Sequence, residues 1–127
     1  MAKRIQGSQS RWVVGVDLGQ RQDYSAVAAL EDIEIEYDER DPITYVFRRE
    51  RRYRLRLLNR VRLGTPYTDV VNRLRELVNT RELRDRCTLV MDATGVAGPV
   101  VDLVRASRPG CRIVPVVITG GDQEGSV

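Results

Sequence analysis

The sequence contains no histidine. Serine-histidine and cysteine-histidine catalysis are thereby excluded, as is histidine-ligated zinc. Cysteine is scarce as well. Cys87 and Cys111 each open an apolar run, and two thiols without a CxxC pairing make neither a disulfide framework nor a thiolate metal site. Both are expected as free thiols at strand ends. No apolar stretch reaches the roughly 18–20 residues needed to span a bilayer. The basic N-terminus has no apolar segment behind it, so no signal peptide is expected. A cytoplasmic location follows by default. No GxxxxGKS/T motif occurs, which removes the P-loop ATPases, and no repeat or low-complexity segment appears.

Lysine is nearly absent too, Lys3 being the sole one, so the positive charge is almost all arginine. The net charge is only +3, but its distribution is uneven. Residues 31 to 41 hold seven acids against Arg40, and residues 48 to 62 hold eight arginines against Glu50. Guanidinium forks match phosphate geometry, so Arg49, Arg51, Arg52, Arg54 and Arg56 are candidates for contact with a nucleic-acid backbone. The equal alternative is a solvated strand whose arginines pair with the acidic stretch.

The chain is 127 residues long and 42% hydrophobic, which suits one globular domain. Residues 1–11 are expected as a flexible tail, 12–119 as the folded domain and 120–127 as a second polar tail. Trp12 to Leu18 reads as a strand ending in a turn, and Ser25 to Leu30 as its hairpin partner. The acidic segment, closed by Asp41-Pro42, is expected as a loop. Ile43 to Leu57 alternates with period two and is expected as a long edge strand. Thr65 is the expected N-cap of a helix with Pro66 in its first turn. Val70, Val71, Leu74, Leu77 and Val78 then share one helical face. Thr88 to Asp92 is a uniformly apolar central strand, Pro99 to Ala106 a second helix, and Arg112 to Ile118 a last strand. The fold class is therefore α/β: three antiparallel strands, then β-α-β-α-β, forming a mixed five-stranded sheet.

Asp17 and Asp92 both close apolar strands. Functional groups in α/β sheets gather beyond the carboxyl ends of strands. If the two strands are parallel neighbours, their carboxylates lie on adjacent tips, where a divalent cation would relieve their repulsion. Mg²⁺ or Mn²⁺ would suit an all-oxygen site, and phosphodiester hydrolysis uses such clusters. The alternative is that each acid caps a turn. Asp23 is an auxiliary candidate ligand with a stronger case as a turn residue, and Asp102 on the second helix is expected in solvent. Gly95 to Gly98 reads as a tight strand-to-helix turn rather than a dinucleotide loop.

The runs VVGVDLGQRQDYSAVAAL, LGTPYTDVVNRLREL, VMDATGVAGPVVDLVR and VPVVITGGD together resemble the nuclease portion of phage terminase large subunits, over roughly residues 12 to 122. The resemblance implies a ribonuclease-H-like fold. It implies that Asp17 and Asp92 match two metal ligands of a two-metal endonuclease that cuts double-stranded DNA in genome packaging, with other packaging proteins as partners. It also exposes departures. The family's ATPase motor has no counterpart here, and its third acid lies in a later helix, often within a His-Asp-Asp segment that this chain lacks. Asp122 and Glu124 are weak substitutes. The fold is thus expected without its final helix, the isolated chain as a poor or inactive nuclease, and the bared sheet face as a route to homodimers or partner docking. Two other classes compete: a non-catalytic DNA-binding or assembly module such as a prophage remnant, and, ranked last, an actin-like ATPase fragment opened by Asp17-Leu18-Gly19.

Overall fold

A computed structural model describes residues 4–19, 24–94 and 98–117. The elements run β1 (Ile5–Asp17), β2 (Ser25–Arg40), β3 (Phe47–Val61), α1 (Tyr67–Val78), β4 (Cys87–Asp92), α2 (Gly98–Ala106) and β5 (Arg112–Val116). The sheet order is β3-β2-β1-β4-β5. β1–β2 and β2–β3 are antiparallel, whereas β1–β4 and β4–β5 are parallel. This is the mixed sheet of a ribonuclease-H-like α/β fold. No described helix is long and apolar enough to cross a membrane.

The helices form where the sequence periodicity places them. α1 buries Val70, Val71, Leu74 and Val78, with Leu77 packed at the margin, and α2 buries Val100, Val101 and Val104. Both lie against the same sheet face, presented by Val14 and Val16 of β1, Val27 and Ala29 of β2, and Leu89 and Met91 of β4. Val14, Leu89 and Met91 are fully buried. Because side chains alternate along a strand, the intervening residues face the other way, onto a side of the sheet that no described helix covers.

Four expectations are corrected. Residues 5–11 are not a tail: they form the first part of β1, paired with β2 from Ile5↔Tyr37 onward. Their backbone pairing, not apolar side chains, orders them, so no hydrophobic pattern announced it. The acidic segment is not a loop, because β2 continues through it to Arg40. Ile33, Ile35 and Tyr37 are buried as a separate small cluster, with Asp32, Glu34 and Glu36 at the alternate positions. That is a period-two strand beneath the charge.

Residues 43–46 are not strand but part of the connection from β2 to β3, whose turn lies at 42–44. There Asp41 Oδ1 accepts the N–H groups of Ile43 and Thr44, and Tyr45 sits at φ 61°. β3 is at the sheet edge as expected, yet a bulge opposite Ala29/Leu30 breaks its alternation. Leu55 pairs with Leu30 and Leu57 with Ala29, so these two leucines end on opposite faces. Thr65 does not cap α1 either. Its hydroxyl donates to the Arg62 carbonyl at 2.6 Å, and Pro66 holds the N-cap position without a side-chain hydrogen bond.

Cys87 and Cys111 are free and half-buried. The β4–β5 register, Thr88↔Arg112, sets them side by side at the start of the two strands. Burial, with the neighbouring Cys111 sulfur second, pushes the Cys87 thiol up to about 11. Burial likewise raises Cys111. These are inert packing thiols at physiological pH.

Candidate metal centre

Asp17 and Asp92 are the last residues of β1 and β4. Those strands are parallel neighbours in the register Val16↔Met91, so the next position on each brings the two acids side by side, one strand spacing of about 4.8 Å apart. Val16 and Met91 face the core, which turns Asp17 and Asp92 onto the helix-free side. There they line a shallow depression of about 370 Å³ with Gly15, Ala26, Ala28, Val90 and Val116. The small residues on β1 and β2 keep the floor low, so the carboxylates stand clear of neighbouring side chains.

The two acids are held differently. Asp92 Oδ1 accepts the Thr94 N–H at 2.8 Å. The Thr94 hydroxyl, the larger influence, and this N–H together hold the Asp92 carboxyl below its usual range. The carboxylate is thus anchored by the turn that follows β4. Asp17 is exposed. After it the chain leaves β1 through Leu18, and the Gly19 N–H donates to Ser25 Oγ at 3.0 Å, tying the two ends of the hairpin connection.

No group of three acids or thiols suited to a metal ion occurs among the described residues. The pair therefore supplies two hard oxygen donors, a set that fits an ion such as Mg²⁺ or Mn²⁺ that keeps several waters, rather than a closed protein cage. Asp23, Asp122 and Glu124 lie outside the described residues. Asp102 is exposed on α2, as expected. A larger hollow of about 820 Å³ lies between Ser8–Val13, Asp32 and Asp85–Thr88, at the opposite end of β4. It is the notch left where β4 begins and β1 continues with β2 alone. Among the described residues its one buried side-chain polar atom without a hydrogen bond, Asp32 Oδ1, is 3.2 Å from Arg51 Nε, so it is compensated by charge.

The arginine-rich strand lies beside the acidic one, and most of its charge is answered there. Arg49 pairs with Glu34 and Glu36, Arg51 with Asp32 and Glu34, Arg56 with Glu31, and Arg52 with Glu50 on its own strand. Glu50 also accepts the Tyr37 hydroxyl. Of the five candidate phosphate contacts only Arg54 makes no ion pair with a described residue, and it sits opposite Glu31 on the helix-bearing side. Two residues that sequence reasoning did not single out belong to the site's surroundings. Thr94 carries a readable signal, since Asp-x-Thr is a turn pattern in which the side chain of the first residue accepts from the third. Arg60 carries none, because only the pairing register reveals its place.

Comparison with known proteins agrees with this architecture. The large terminase nuclease from thermophilic phage G20c, solved with bound zinc, superposes with a TM-score of 0.51 at 22% sequence identity, covering 87% of this chain and 50% of that one. No protein-family model matches the sequence, and no curated protein does. The chain thus spans half the length of the solved nuclease it matches, and at this identity the likeness establishes the fold: a terminase-nuclease-like, ribonuclease-H-like sheet.

Proposed function

We propose that this chain is a terminase-like nuclease domain acting on double-stranded DNA in phage genome packaging, with Asp17 and Asp92 holding Mg²⁺ or Mn²⁺. One observation carries the reading: the two acids stand side by side on neighbouring parallel strand tips, in a fold shared with a terminase nuclease. The neighbour's bound zinc supports a metal in this fold, and the oxygen-only donors here favour a harder ion. When bound, such an ion supplies an activated water and stabilises the leaving oxygen of a phosphodiester. The residues of the chain position it. Asp92, fixed by Thr94, would present an oriented carboxylate, and Asp17 would offer its own from the adjacent strand. With the two protein ligands that the described residues supply, the rest of the shell falls to water and substrate phosphate.

A second reading is favoured by the missing third ligand among the described residues. It makes the chain a non-catalytic module that binds DNA or a packaging partner, including a second copy of itself. Metal-dependent nicking of supercoiled plasmid separates the two readings. The nuclease reading expects cleavage with Mg²⁺ or Mn²⁺, lost with EDTA and reduced at least about a hundredfold in Asp17→Asn, as befits loss of a group acting on the transition state. Equal nicking by wild type and Asp17→Asn would sink the assignment. Salt-sensitive binding without any nicking would establish the module.

A further inference from the structure

Sheet register sets Arg60, Ala26, Asp17, Asp92 and Val116 in a single row across all five strands: Ala26 pairs with Arg60 and with Asp17, and Asp92 with Val116. All five occupy the helix-free face, since each lies one position from a core-facing residue. Arg60 therefore stands two strand spacings, about 10 Å, from Asp17 on the same surface. The intervening residue is Ala26, whose methyl group raises no barrier between them. The Arg60 guanidinium lies over the Tyr24 ring, 4.7 Å from its centroid. Stacking occupies the face of the guanidinium and leaves its in-plane N–H donors free. The other arginines that β3 presents to this face, Arg49 and Arg51, are neutralised by carboxylates on β2. Arg60 has no carboxylate partner among the described residues.

From this row we infer that Arg60, held by Tyr24, is a phosphate-binding residue for nucleic acid lying across the helix-free face. It grips a backbone phosphate about 10 Å across the face from the one at the carboxylate pair. The inference rests on the nuclease reading for what sits at Asp17 and Asp92, and adds a site that fixes the path of the strand.

Fluorescence anisotropy of a short fluorescein-labelled DNA duplex, titrated in EDTA to prevent cleavage over a series of NaCl concentrations, tests it. Arg60→Ala should weaken binding roughly tenfold and lower the slope of log affinity against log salt by about one. Arg60→Lys, which keeps the charge but loses the fork, should fall between. Arg84→Ala removes an exposed arginine beyond the opposite end of β4 and should stay within about twofold of wild type with its slope unchanged. Arg60 is exposed, so thermal melting of the variants should match wild type and exclude misfolding. Wild-type binding with Arg60→Ala indistinguishable from Arg84→Ala overturns the inference and leaves the nuclease reading standing. No wild-type binding at any salt overturns both.

Discussion

Thr94 decides the state of Asp92. Its hydroxyl and N–H both donate to that carboxylate and favour the charged form. A carboxyl held below its unfolded value contributes stability above that value, about 3.9 for aspartate, and loses it as pH falls through the folded value. Thr94→Ala removes the larger of the two bonds. The Asp92 carboxyl should therefore titrate at higher pH in Thr94→Ala than in wild type, read by carboxyl ¹³C chemical shift. Thr94→Ser should restore the wild-type value. An identical titration in all three would mean that the backbone N–H alone fixes the carboxylate. On the proposed metal reading the same residue also sets ligand presentation: without its hydroxyl the Asp92 side chain regains rotamer freedom, and Mn²⁺ affinity should drop several-fold.

Elements differ in how openly the sequence declared them. α1 was readable because five apolar residues repeat at helical spacing, and the structure buries that stripe. The tips of β1 and β4 were readable because each is an apolar run stopped by an acid. Beyond Leu30 the charge of β2 masks its alternation: Ile33, Ile35 and Tyr37 carry the strand while Asp32, Glu34 and Glu36 carry the ion pairs. The bulge in β3 was unreadable, since which residue of a strand is skipped depends on its partner. That single slip sends Leu57 toward α1 and sets the face of everything after it, Arg60 included.

The site followed the same rule: two acids at strand ends were visible, and the residue two strands away was not. The burial of α1 can be tested directly. Leu74 is about 2% exposed and touches the sheet through the core cluster. Leu74→Ala should cost about 2–5 kcal/mol. In a domain of this size that lowers the melting temperature by roughly 8–25 °C. A drop of only a degree or two by calorimetry would show that α1 is not part of the cooperative core.

Across the molecule, the described helices cover one side of the sheet only. Two helices shield the face carrying Val14, Leu89 and Met91, while the opposite face offers Leu55 at 59% exposure, Leu58 at 70% and Val116 at 38% beside the half-buried Val13, Leu30 and Val90. A contiguous apolar surface of this kind in water binds apolar ligands. The ion-paired β2–β3 ribbon borders it with charge at one margin and the carboxylate row at another. The native protein should therefore enhance the fluorescence of an apolar dye such as ANS without any denaturant. Leu58→Glu, placed one row from Arg60 at a site exposed enough to accept a charge, should reduce that enhancement while leaving the melting curve in place. If the native protein leaves the dye dark, the face is covered in solution. DNA laid along the Arg60–Asp17–Asp92 row would then have to displace that cover, so the dye measurement also decides whether the path proposed for the strand is open in the free protein.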